Sequence, residues 1–145
     1  MKYYFDTNSD GYLSKKERNN ATLISAKYWK ISSFKGIKYF PNLKYLDCGH
    51  NNLTSLDFSG NKKLEKLNCD YNKLTALSTG NTPKLRTLYC GNNSLKTLIV
   101  SKSRSLQKLF CKPNKLTKLD VRKNKKLTAK GGIIDADKGV KIIKK

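Results

Sequence analysis

The sequence predicts a solenoid: a right-handed coil with a parallel β-sheet on its concave face and few or no convex helices. The first observation is a leucine column at a period of 21, Leu43, Leu64, Leu85, Leu106 and Leu127, with a second at Leu46, Leu67, Leu88 and Leu109. The next is a column made wholly of thiols, Cys48, Cys69, Cys90 and Cys111, followed three residues on by Asn51, Asn72, Asn93 and Asn114. The last is a further pair of leucine columns, at Leu53, Leu74, Leu95 and Leu116 and at Leu56, Leu77, Leu98 and Leu119. Six matching columns across four copies define a repeated coil, and the core of such a chain grows coil by coil rather than as a sphere.

The unit L-x-x-L-x-C-x-x-N-x-L-x-x-L falls within the leucine-rich-repeat spacing, so residues 43–126 are read as four 21-residue leucine-rich repeats. Within each, L-x-x-L-x-C is a short strand whose side chains alternate inward and outward. The Leu46 and cysteine columns point inward. Each buried leucine contributes roughly 1.5–3 kcal/mol, and Leu67→Ala or Leu88→Ala is expected to cost about 2–5 kcal/mol. The asparagine column stands where the chain turns off the strand, where an amide can satisfy backbone groups from one coil to the next.

Four cysteines also raise zinc and disulfides. Zinc requires clustered C-x₂₋₄-C pairs, and here the spacing is a whole repeat. Neighbouring strands lie within the Cα range of a disulfide, but parallel in-register side chains offer its torsion poorly. The column is read as free thiols used as small hydrophobes.

Upstream, residues 1–20 form a predicted N-terminal cap. Asp6-Thr7-Asn8-Ser9-Asp10-Gly11-Tyr12-Leu13-Ser14-Lys15-Lys16-Glu17 matches the twelve-residue EF-hand calcium loop. Asp6, Asn8 and Asp10 supply oxygens at positions one, three and five, the Tyr12 carbonyl at seven, Ser14 at nine and Glu17 a bidentate carboxylate at twelve. One Ca²⁺ is expected, with a structural role. Ser14 and Glu17 also spell the S-x-x-E capping box of a short helix running to about Asn20, a second use of the same carboxylate.

Residues 21–42 are a degenerate first repeat lengthened by one, with Ala21, Ile24, Ala26, Ile31 and Phe34 standing 22 residues before Leu43, Leu46, Cys48, Leu53 and Leu56. Trp29 takes the asparagine position and is expected in the core of the cap. After Leu127 the period breaks, with Lys130 and Gly132 where leucine and cysteine would fall. Residues 127–145 are predicted to form a β-hairpin cap from Ile133-Ile134 and Ile142-Ile143 around an Asp/Lys/Gly turn.

Taken together, the D-x-N-x-D-G-x-L-S-x-x-E loop, the degenerate coil, the G-I-x-Y-F-x-N-L junction at Gly36–Leu43 and the L-x-x-L-x-C-x-x-N-x-L repeats resemble secreted leucine-rich-repeat proteins of gut Firmicutes with dockerin-like calcium loops. They are more distantly similar to internalins. The resemblance covers nearly the whole chain. It implies extracellular or cell-surface display and adhesion or ligand binding, not catalysis.

Outward strand positions are the expected ligand face. One column reads Tyr45, Lys66, Thr87, Lys108 and its neighbour Asp47, Asn68, Tyr89, Phe110; the following turn adds His50, Tyr71, Asn92 and Pro113. Exposed aromatics alternating with lysines and amides suit sugar rings, bases or a partner's apolar side chains. The ligand-binding set is read as Tyr45, Asp47, Lys66, Asn68, Tyr71, Tyr89, Lys108 and Phe110. The expected partner is a protein or a glycan, bound by a monomer.

A formal charge of +21 from 31 Lys+Arg against 10 Asp+Glu supports an alternative, a binder of anionic polymers (nucleic acid, teichoic acid, sulfated glycan) through diffuse lysine charge. Only four of those cations are arginines, so the charge is carried mostly by hydrated points rather than planar forks. Catalysis is disfavoured. The single histidine, His50, stands two residues after Cys48, but that thiol belongs to the core column and no orienting partner is visible. No stretch reaches the roughly 20 apolar residues of a membrane span, and no secretory segment follows Met1. The expectation is that the chain is a piece from which an export signal and further domains are missing.

Overall fold

A computed structural model describes residues 12–145. Six three-residue strands stack into one parallel sheet, β1 (Leu23–Ser25), β2 (Tyr45–Asp47), β3 (Lys66–Asn68), β5 (Thr87–Tyr89), β7 (Lys108–Phe110) and β9 (Ile133–Asp135). The register aligns Ile24, Leu46, Leu67, Leu88, Leu109 and Ile134. Four of these side chains, Leu46 to Leu109, are wholly buried, as is every cysteine. A three-residue strand buries its central side chain and leaves its two flanks outward, as the period-two rule requires. The fold is a leucine-rich-repeat solenoid.

The backs of the coils carry short parallel strands rather than helices: β4 (Ala76–Ser78) pairs with β6 (Thr97–Ile99), and β8 (Lys118–Asp120) with β10 (Lys141–Ile143). Among the described residues, α-helix is confined to α1 (Lys15–Asn20) and α2 (Lys125–Thr128), with a 3₁₀ turn at Ile37–Tyr39. Twenty-one residues leave little room for a helix per coil, and Leu77, Leu98 and Leu119 close the core from the back instead.

The asparagine column is a ladder between coils. Nδ2 of Asn72 donates to the carbonyls of Cys48 (3.0 Å), Cys69 (3.1 Å) and Asp70 (3.1 Å), and its Oδ1 accepts the Leu53 N–H. Asn51, Asn93 and Asn114 repeat the pattern, their Oδ1 atoms taking the N–H groups of Ile31, Leu74 and Leu95. A second polar ladder, not anticipated from the sequence, runs through the opposite turn. Asn61, Thr82, Ser103 and Asn124 are all fully buried. Asn61 donates to the carbonyls of Ile37 and Phe40, and Asn124 to those of Val100 and Ser103. Between them, the hydroxyls of Thr82, Ser103 and Thr79 are linked at 2.8–2.9 Å.

Two expectations are corrected. The C-terminal segment is not a hairpin: β9 pairs in parallel with β7, and β10 in parallel with β8. It is another coil, out of phase. Ile134 lies opposite Leu109, 25 residues earlier, because the α2 turn and Gly131-Gly132 insert four residues before the strand. Two parallel pairings give each strand a ladder partner and continue the core, whereas a hairpin of the two with each other would leave β7 and β8 without these partners. Trp29 is not cap core either; it is 43% exposed. At the N-terminus, Ser14 caps α1 and the capping box with Glu17 is formed in both directions.

Candidate functional site

The sheet register carries Tyr45, Lys66, Thr87 and Lys108 into one outward row and Asp47, Asn68, Tyr89 and Phe110 into the next. Leu23 and Ile133 extend the first row at its ends, and both are exposed. The rows are interlocked. The Lys66 ammonium lies 5.3 Å from the Tyr45 ring centroid and 5.5 Å from that of Tyr89, a cation held between two π faces. Tyr89 in turn stacks on Phe110 with centroids 4.7 Å apart and planes within 5°. Strand spacing of about 4.8 Å sets this geometry, since identical outward positions on adjacent strands place their rings at stacking distance.

Asp47 sits on this face but is nearly buried, at 9% exposure. Its carboxylate accepts the Gly49 N–H at 3.0 Å and lies 3.5 Å from the Tyr45 hydroxyl. Burial, followed by the Asp47 charge, raises the Tyr45 phenol above its ordinary value. Asn68 accepts the Asp70 N–H through Oδ1 at 3.0 Å. Asp47 and Asn68 therefore first fix the turn that leaves each strand. Tyr45, Lys66, Tyr89, Lys108 and Phe110 form the part of the face open to a partner.

Tyr71 belongs to a second aromatic line along the edge where strands end. Tyr28, His50 and Tyr71 stack one coil on the next, with centroids 4.3 Å and then 4.1 Å apart. All three have left-handed backbones, at φ 64, 53 and 54. Asn92 occupies the same conformation in the next coil, at φ 49, and asparagine tolerates it well. Bulky side chains pay roughly 1–2 kcal/mol there, and the mutual stacking of the three rings offsets part of that. Tyr28 was outside the expected ligand set; its signal in the sequence is its place 22 residues before His50.

Beside this line lies Asp70, whose Oδ1 accepts the Gly91 N–H at 2.6 Å. Burial pushes its carboxyl up to about 6, with the Gly91 hydrogen bond opposing and the Asp47 charge adding. Gly91 has no room for a side chain: a Cβ would stand 2.2 Å from the Lys112 carbonyl oxygen.

The Cys48–His50 pair is not a reactive couple. Cys48 is buried and donates to the Asn68 carbonyl at 3.3 Å, while His50 lies between Tyr28 and Tyr71. Burial raises the Cys48 and Cys111 thiols to about 12 and also pushes those of Cys69 and Cys90 well above the ordinary thiol value. Such thiols are core, unfit as nucleophiles at neutral pH.

Of the calcium-loop residues, Asp6, Asn8 and Asp10 lie outside the described residues. Tyr12 is exposed. Ser14 and Glu17 are brought together, the Ser14 N–H donating to Glu17 Oε2 at 2.8 Å and the Glu17 N–H to the Ser14 hydroxyl at 3.2 Å. The Glu17 carboxylate is thus held in the first turn of α1, buried and bonded to the Ser14 N–H.

Residues 41–81 match the family model "Leucine Rich repeats (2 copies)". Among solved structures, the chain is similar to the functional domain of InlJ from Listeria monocytogenes, which includes a cysteine ladder. The two are 28% identical with a TM-score of 0.57, and the match covers 90% of this chain and 32% of that one. The chain thus spans about a third of that neighbour's length. No curated protein matches the sequence. The fold and its internalin-like neighbour fit a protein-binding or adhesion module, and no described helix is long and apolar enough to cross a membrane.

Proposed function

We propose that this leucine-rich-repeat domain is a non-catalytic adhesion module of a bacterial surface or secreted protein, recognising a protein or glycan through its concave sheet. The observation that carries the reading is the interlocked Tyr45–Lys66–Tyr89–Phe110 group. A solvated sheet face does not need stacked rings for its own stability, and a rigid aromatic platform loses little entropy when a partner covers it. Lys66 and Lys108 add hydrogen-bond donors between the rings. The domain works as a monomer, and one Ca²⁺ held by Asp6, Asn8, Asp10, the Tyr12 carbonyl, Ser14 and Glu17 stabilises its N-terminal cap.

The test is a binding screen on arrays of glycans and extracellular proteins, comparing the native chain with the double variant Tyr89→Ala/Phe110→Ala. Ligands lost by the double variant, at an unchanged unfolding midpoint, support the concave face. Ligands kept equally by both proteins would place recognition elsewhere.

A further inference from the structure

A row of exposed cations runs along one edge of the solenoid. The turn that feeds each concave strand ends at the buried Leu64, Leu85, Leu106 or Leu127. Just before these leucines stand Lys62, Lys63, Lys84, Arg104, Lys125 and Lys126, all exposed. Asp47, Asp70, Asp135 and Asp137 lie at or beyond the other ends of the strands. The acids on the basic side are Glu65, and Asp57 and Asp120 at the starts of two turns, paired with Lys38 and Arg122. Ion pairs among the described residues engage Lys38, Lys112 and Arg122, none of the six.

The backbone beneath these cations is rigid and repeated. Leu64, Leu85, Leu106 and Leu127 each donate their N–H to the carbonyl three residues back, on Asn61, Thr82, Ser103 and Asn124, at 2.9–3.1 Å. The same three-residue closure recurs before every one of these leucines. The charges therefore advance coil by coil in steps of about 4.8 Å, the spacing of the strands they precede. The turns at 59–63, 80–84, 101–105 and 122–126 contain no aromatic residue.

We propose that this edge is a second binding site, taking a linear phosphodiester polymer laid across the coils and read by its backbone charge alone. Lysine ammonium groups suit phosphate oxygens as point charges, and a preorganised row spares the polymer's partner most of the ordering cost. Tyr39 is the exposed ring at the first-coil end of this edge; along the four turns bearing the cations, nucleic-acid bases have nothing to stack on, so the sugar or polyol between phosphates is immaterial there. The site is separate from the aromatic concave face and localises what composition alone presents as diffuse charge.

The test is fluorescence anisotropy with a labelled abasic single-stranded oligodeoxynucleotide, a phosphodiester chain without bases, at about 50 and about 200 mM salt. Two variants remove equal charge: Lys63→Gln/Lys84→Gln/Arg104→Gln/Lys126→Gln on the edge, and Lys73→Gln/Lys96→Gln/Lys115→Gln/Lys118→Gln elsewhere, each checked for folding by circular dichroism. The edge variant is expected to lose at least about tenfold in affinity and to lower the salt slope by about 3, at roughly 0.7 per phosphate contact; the other should change little. Equal losses in both variants would overturn the edge and leave diffuse charge. No binding by the native chain at either salt would overturn the polyanion reading entirely. Tighter binding of oligothymidylate than of the abasic chain would overturn charge-only reading, and tighter binding of a heparin fragment of equal charge would overturn the phosphodiester assignment. Tyr89→Ala should leave this affinity unchanged whatever the fate of the concave face; a matching loss would merge the two sites and overturn their separation.

Discussion

Asn72 reaches back one coil to accept the peptide N–H of Leu53 on its side-chain oxygen at 2.9 Å. With its amide nitrogen it meets carbonyls of both coils. One side chain thus satisfies backbone groups that turning leaves without strand partners, and the same group ties successive coils in register. Buried backbone groups left unpaired cost about 1–3 kcal/mol each. Asn72→Ala is therefore expected to destabilise the domain by about 2–4 kcal/mol in urea denaturation. Asn72→Asp keeps the acceptor but turns a carboxylate onto three carbonyls, so it should be at least as damaging at neutral pH and recover partly on acidification. A cost within experimental error for both variants would show that water replaces the amide.

The thiol column makes an equally direct prediction. Cys48, Cys69, Cys90 and Cys111 are buried free thiols, and burial is the first cause of their raised pKa values. The native chain should resist a thiol reagent at neutral pH, and all four should label after denaturation. Raised folded-state values also set the sign of the alkaline response. The native state holds its protons to about 12 at Cys48, while unfolded thiols ionise near 8.5. Stability from this source is complete below roughly pH 8.5 and falls as pH climbs toward about 12. Cys48→Ala should flatten that alkaline decline, measured as urea midpoint against pH; an unchanged slope would assign the decline to other groups.

Asp70 gives a response of the same sign at lower pH. Its folded value of about 6 stands above the ordinary 3.8, with burial the largest cause. The stabilisation is fully present below the unfolded value and is lost as pH rises through about 6. Asp70→Asn keeps an oxygen for the Gly91 N–H and removes the charge. It should raise the unfolding midpoint at pH 7 and flatten the profile between roughly pH 4 and 7. A variant less stable than the native chain at pH 7 would mean that the ionised carboxylate is itself structural.

The columns were legible because each buried position meets the same surroundings in every coil, so selection for one environment writes one residue type. The inner ladder was hidden for the opposite reason. Asn61, Thr82, Ser103 and Asn124 do related work with different side chains, amide donors at the ends and linked hydroxyls between them. A fixed period also fails where the chain slips: four added residues before Ile134 placed Lys130 and Gly132 under the leucine and cysteine columns and disguised a parallel coil as a hairpin. On the concave face, which residues are neighbours could be read from spacing. The Tyr28–His50–Tyr71 stack could not, because it depends on left-handed backbones that bulky residues seldom adopt.

The calcium loop can be tested without any ligand for the concave face. Glu17 already stands in the first turn of α1, its backbone and side chain tied to Ser14, so an ion binding there would grip the start of a formed helix. With a dissociation constant on the order of 10⁻⁴–10⁻³ M, as in extracellular calcium modules, about 2 mM Ca²⁺ would stabilise the folded chain by about 0.7–1.8 kcal/mol. Thermal unfolding in about 2 mM Ca²⁺ should therefore give a higher midpoint than unfolding in excess EDTA, by a few degrees for a chain of this size. Asp10→Ala should abolish the difference while leaving the EDTA midpoint where it was, because that variant removes a proposed ligand and none of the buried leucines. Equal midpoints for the native chain in calcium and EDTA would sink the site and leave Glu17 as a helix cap alone. A calcium shift that survives Asp10→Ala would move the ion away from this loop.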